Sequence, residues 1–140
     1  MEKGLLMKFL KFCSVLLTLS WLSLANGAMA DNNGEVLYNQ YCSVCHGVIG
    51  QGDDRWPGLN DTGDMTAPPH NEKGHTWRHS SDDLVKMTLM GYRDPYNATE
   101  ILTMPAYEGL LTEHQVLSII EHIKSWWTPD QIENQRKLNQ

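Results

Sequence analysis

The chain has 140 residues, of which 41% are hydrophobic and 20% charged, and its formal net charge is −6. This length holds one domain with a modest core. An acidic balance without any Lys/Arg cluster excludes nucleic acid as a partner.

Residues 1–30 read as a secretory signal peptide. Lys3, Lys8 and Lys11 form a basic region, an apolar run extends from about Phe12 to Ala25, and Ala28-Met29-Ala30 is a small-x-small cleavage site. The run is shorter than the roughly 20 residues that span a bilayer. It also contains Ser14, Thr18, Ser20 and Ser23. Cleavage near Ala30 is therefore expected rather than retention as an anchor, with no stable membrane insertion. The mature chain carries eight basic and 16 acidic residues, a net of −8. Of the three cysteines, Cys13 leaves with the leader, so Cys42 and Cys45 belong to the working protein.

The first mature segment leads through Gly34-Glu35-Val36-Leu37-Tyr38 into Tyr41-Cys42-Ser43-Val44-Cys45-His46-Gly47. A thiol redox motif wants a βαβ context, whereas the downstream segments read as helices and loops. A zinc site needs further ligands at finger-like spacing, and no second Cys pair exists. A structural disulfide leaves His46 without a role. Covalent haem attachment uses all three side chains. Positions i and i+3 of a helix share a face, so both thiols reach the vinyl groups on one porphyrin edge as thioethers, and the next residue brings its imidazole under the iron. Haem of this type is attached outside the cytoplasm, in agreement with the leader. It also supplies buried apolar surface that a small core lacks.

Trp56-Pro57-Gly58-Leu59 forms a turn. Around it Asp53, Asp54, Asp61 and Asp64 make an acidic segment that reads as a solvated loop and would suit a basic partner. The stretch from Ala67 to His79 holds His70, His75 and His79 with Gly74, Trp77 and Arg78. It reads as a polar loop over one haem edge, with Trp77 packed and its indole N–H or Arg78 near the propionates. The sharper alternative is a copper site, because imidazoles bind Cu(II) well. A helix started by Ser80 or Ser81 runs through Leu84 to Met90 and closes at Gly91, with Met87 and Met90 in its core face. Met65, Met87, Met90 and Met104, or one of the three loop histidines, are the candidates for a second iron ligand. Met104 stands in a non-helical stretch before Pro105, which removes a backbone donor and stiffens the loop. Thr112 to Gln115 reads as an N-cap with its capping-box partner. Val116, Ile119, Ile120 and Ile123 then recur at helical spacing, and Trp126 and Trp127 end the run before Pro129. Residues 128–140 form a polar C-terminal extension.

Taken together, residues 34–127 resemble a class I c-type cytochrome, in particular a bacterial subgroup with a Gly-His-Thr-Trp element. The resemblance implies an all-α cytochrome c fold, three to five helices around one covalently attached haem, over a domain of residues 31–127. It implies that Gly34 lets the first and last helices cross closely. It implies that the Pro57 carbonyl accepts a hydrogen bond from His46, fixing its tautomer, and that Met104 is the distal ligand ahead of the other candidates. Where the family places an aromatic residue facing the first helix, this chain has His122, a departure expected to weaken one contact.

The expected cofactor is one haem c per chain, held by Cys42, Cys45, His46, Pro57, Trp77 and Met104, with His46 and Met104 on the iron. Such a centre passes single electrons and little else. The expected protein is a periplasmic, monomeric electron carrier, not an enzyme, serving a dehydrogenase or oxidase. The alternatives are a haem subunit of a periplasmic oxidoreductase or a ligand-binding five-coordinate haem protein.

Overall fold

The protein is described by a computed structural model that covers residues 33–93, 95 and 99–140; the expected leader lies outside them. Among these residues the regular structure is all helical apart from isolated bridges: α1 (Gly34–Tyr41), α2 (Ser43–His46), a 3-10 turn (Thr76–Arg78), α3 (Ser81–Met90), α4 (Glu113–Lys124) and α5 (Pro129–Leu138). Asn32–Gln140 is one compact unit.

Side-chain caps set the helix starts. Asn33 accepts the Glu35 and Val36 amides at the head of α1, and Ser80 accepts the Asp83 amide at the head of α3. Thr112 and Gln115 form the capping box expected for α4. Leu37 and Tyr38 of α1, with Cys42 just past its end, meet Val116, Ile119, Ile120 and Ile123 of α4, and Leu111 and Trp127 complete the core. Each fully buried aliphatic side chain contributes about 1.5–3 kcal/mol. Gly34 sits where the two helices cross, and a Cβ there would collide with the Ser118 carbonyl. His122 keeps the contact it was expected to weaken. Its ring lies 5.6 Å from that of Tyr38 and 4.8 Å from that of Trp126, so an imidazole fills the aromatic place.

Two expectations change. Met87 and Met90 are not core: no residue of α3 is fully buried, and Met90 is 60% exposed. The α3 side chains that pack against the core are Leu84, Val85 and Leu89. Nor is the polar segment after Trp127 an appendage. Thr128 and Gln131 build a second capping box with Pro129 at the first helical position, and α5 packs on the 3-10 turn. Its amides attach it to the loop before α3. Gln131 donates to the Glu72 carbonyl at 2.9 Å and Asn134 to the Trp77 carbonyl at 3.3 Å, while the buried Gln135 donates to Ser81 Oγ at 3.2 Å. A helix without an apolar stripe is held here by side-chain amides that bond to two backbone carbonyls and a serine hydroxyl.

The acidic segment is partly paired from within. Arg55 pairs with Asp53 at 3.1 Å and with Asp61 at 3.3 Å. Asp64 is buried and accepts from the hydroxyls of Thr62 and Thr99, which ties the loop at residue 60 to the loop after α3. The Thr99 hydroxyl is the main cause that holds the Asp64 carboxyl below its ordinary value.

Two predictions follow from this packing. Gly34→Ala should lower stability by about 1–3 kcal/mol through forced separation of α1 and α4, read as a lower denaturation midpoint; an unchanged midpoint would contradict the close crossing. For Asp64 the folded value lies below the unfolded one, so its stabilisation is full above the unfolded value of about 3.9 and is lost as pH falls through the folded value. Asp64→Asn should therefore flatten the acid limb of the stability curve, and an unaltered limb would show that the Thr99 contact does not act on the carboxylate.

Candidate metal centre

The end of α1 and the short α2 place the two thiols and the imidazole. Cys42 is buried beside Leu37 and Tyr38, whereas Cys45 faces solvent. Burial, and secondarily the neighbouring Cys45, pushes the Cys42 thiol up to about 12. A dithiol redox centre needs an easily formed thiolate, and the buried Cys42 does not offer one. The Tyr38 hydroxyl donates to the Gly47 carbonyl at 2.8 Å and pins the chain just beyond α2.

His46 is buried, and burial holds its imidazole below the ordinary value, with the backbone contact to Pro68 acting in the opposite direction. Its Nδ1 lies 2.8 Å from the Pro68 carbonyl. In the neutral ring Nδ1–H donates to that carbonyl, which leaves the Nε2 lone pair for a metal. The acceptor is therefore Pro68 and not Pro57. Pro57 follows Trp56 across a cis peptide bond and is exposed. The Pro-Gly-Leu pattern of residues 57–59 resembled the expected turn, but Pro68-Pro69-His70 occupies that place.

His70, weighed in the sequence as a second iron ligand or a copper ligand, stands instead beside His46. Its ring stacks on that of His46, with centroids 3.9 Å apart and planes at 26°. Thr76 Oγ1 lies 2.8 Å from its Nδ1, and its carbonyl accepts from the Trp127 indole at 2.8 Å. Burial, then the charges of His46 and His75, holds this imidazole well below its ordinary value. The copper alternative loses its geometry. His75 and His79 meet edge to face at 5.5 Å, while His70 turns to His46. Among the described residues no group of three or more His, Cys, Asp or Glu side chains converges as a metal site.

Trp77 is half-buried against the core, as expected of a packed loop residue, but its indole N–H is engaged by the Gly74 carbonyl at 3.0 Å. Arg78 lies over its ring, 4.8 Å from the centroid. The indole donor is thus spent within the loop and is not directed to a propionate.

Met104 is half-buried on the loop between α3 and α4. Its backbone pairs with Tyr92 through two hydrogen bonds of 2.9 Å. Gly91, at φ 76°, lets the chain turn against the Met104 carbonyl, where a Cβ would stand only 2.9 Å away. The Tyr107 and Glu108 amides donate to the Leu89 carbonyl, so the same loop caps the end of α3. The Tyr107 hydroxyl reaches the Tyr41 carbonyl at 2.8 Å, tying the Met104 loop to the residue before Cys42. The sequence signal for this tie was the aromatic three positions after Met104.

These residues fit a covalently attached haem. Two thiols near one helical turn apart and a neighbouring imidazole with Nδ1 occupied suit attachment to a porphyrin edge with a nitrogen left for its iron, and Met104 on its braced loop offers a thioether of the kind such iron takes.

A family model described as "Cytochrome C oxidase, cbb3-type, subunit III" matches residues 29–123. Neither the curated proteins nor the solved structures contain a match. The matched span includes Cys42, Cys45, His46, Pro68, His70 and Met104 and ends before α5. The all-helical fold, the Cys-x-x-Cys-His helix and this match agree, and the chain belongs to that family of c-type cytochrome domains.

Proposed function

We propose that this chain is an exported carrier of single electrons that holds one haem through thioethers at Cys42 and Cys45, with His46 and Met104 as axial ligands. The observation that carries the reading is the His46–Pro68 hydrogen bond, which leaves the imidazole beside the two thiols with one free donor nitrogen. A haem held there supplies a one-electron ferric/ferrous couple, and a thioether opposite imidazole favours the ferrous state. The protein's own groups do the rest. Cys42 and Cys45 fix one porphyrin edge. Pro68 holds the His46 tautomer and raises its basicity. Tyr92, Gly91 and Tyr107 limit the travel of the Met104 loop, which favours a small structural change between oxidation states.

The exported location rests on the leader pattern in residues 1–30. No helix among the described residues is long and apolar enough to cross a membrane. The family description names an oxidase subunit, which favours an oxidase or dehydrogenase as the redox partner, or service as a haem subunit of such an enzyme, over the ligand-binding alternative.

Expression with a c-type maturation system should yield a red protein whose haem resists acid-acetone extraction, and the double variant Cys42→Ala, Cys45→Ala should give no holoprotein. A stable, coloured double variant would refute thioether attachment. Met104→Ala should erase the weak near-infrared sulfur-to-iron band of the oxidised protein, lower the potential and allow rapid carbon monoxide binding. Rapid binding by the wild type would instead favour the five-coordinate alternative.

A further inference from the structure

His70 stands at the third position of Pro68-Pro69-His70, where the chain has just delivered the Pro68 carbonyl to His46. One hydrogen bond fixes where the Nδ1–H of His46 points. It does not by itself fix the plane of the ring, which can rock about that direction. A flat neighbour in face contact does restrict the plane. The His70 imidazole is such a neighbour, at 3.9 Å and 26°.

His70 is itself constrained on several sides. Thr76 Oγ1 engages its Nδ1 at 2.8 Å, and Thr76 is buried in the 3-10 turn. The amide of His70 donates to the Gly50 carbonyl at 2.8 Å, and its carbonyl accepts from the Trp127 indole at 2.8 Å. Tyr38 approaches edge-on with its ring centroid 6.3 Å away. Fixed by backbone on both sides and by Thr76 at the ring, the His70 plane is a reference surface for His46. A leucine of similar reach would bury the same area but would present rounded methyl groups, with no plane and no acceptor or donor for Thr76.

We propose that His70 is a positioning residue that sets the ring plane of the axial ligand His46, and through it the electronic asymmetry of the haem iron. The inference rests on the assignment of His46 as iron ligand. The orientation of an axial imidazole decides which pyrrole pairs share unpaired spin in the ferric state, so the readout is the spread and order of the four haem methyl proton resonances.

The test uses the oxidised holoprotein. His70→Leu should retain haem and the near-infrared methionine band while the four methyl resonances change their spread or order and the potential shifts. Should His70→Leu fail to give holoprotein, Thr76→Val decides instead, because it keeps the side-chain shape, removes the hydrogen bond to His70 and should move the same resonances. Methyl resonances unchanged from wild type in a folded, haem-loaded variant overturn the proposal, whatever happens to stability. A wild type without axial histidine features would fail the prior assignment of His46, an outcome distinct from unchanged resonances in a normally ligated pair of proteins.

Discussion

The buried imidazole of His46 imposes the constraint on which the surrounding structure depends. Its Nδ1–H must find an acceptor, because an unpaired buried donor costs about 1–3 kcal/mol. The acceptor comes from Pro68, 22 residues further along the chain. The segment after α2 therefore has to leave and return. Its return is fixed by backbone pairs: Gly52 donates to the His46 carbonyl, Asp53 to Ala67, and His70 and Asn71 both to Gly50. The Trp127 indole and the amides of α5 then hold this returning segment from outside. The polar helix, which lies beyond the span matched by the family, acts on the loop that serves the imidazole.

Much of this was legible where one local rule decides. Ser80, Thr112 and Gly91 marked helix ends because caps depend on residues within three or four positions. Cys42, Cys45 and His46 were legible because their chemistry lies within one helical turn. Gly34 was read through the family resemblance, in which a glycine ahead of the haem motif lets two helices cross closely, and the Ser118 carbonyl beside it agrees. The choice between Pro57 and Pro68 was different in kind. Both prolines follow the motif, and only the path of the intervening chain brings one of them to His46. The family-like leucine after Pro57 pointed to the wrong turn. The correct one carries His70 in that place, and an imidazole there reads as a loop residue until its stacking partner is known.

The missed helix has another explanation. Residues 129–138 lack an apolar period, and periodicity was the main guide. Their local signals were nevertheless present: Thr128 as cap, Pro129 at the first helical position and Gln131 closing the box. What could not be read was the partner surface, namely the carbonyls of Glu72 and Trp77 and the hydroxyl of Ser81. The buried Gln135 follows from the same fact. A side-chain amide is stable in the interior when a neighbouring element offers polar groups at the right spacing.

The Pro68–His70 segment beside His46 and the loop that carries Met104 are braced unequally. On the His46 side the Pro68–His70 segment is held by the Gly50 carbonyl, by the Tyr38 ring of α1 and by the core indole of Trp127, while α5 holds Glu72 and Trp77 just beyond it. On the Met104 side the loop leans on α3, of which no residue is fully buried, and meets Tyr41 of α1 through the Tyr107 hydroxyl and the edge-to-face contact of the two rings. Local opening costs least where fewest buried contacts are lost. The Met104 side is therefore the half of the centre expected to move first, while the histidine side keeps its geometry. For a one-electron carrier this division has a physical use. Under the proposed ligation, a sulfur on the Met104 loop would have more room to adjust than the imidazole, whose Nδ1 is held by Pro68 and whose ring faces His70.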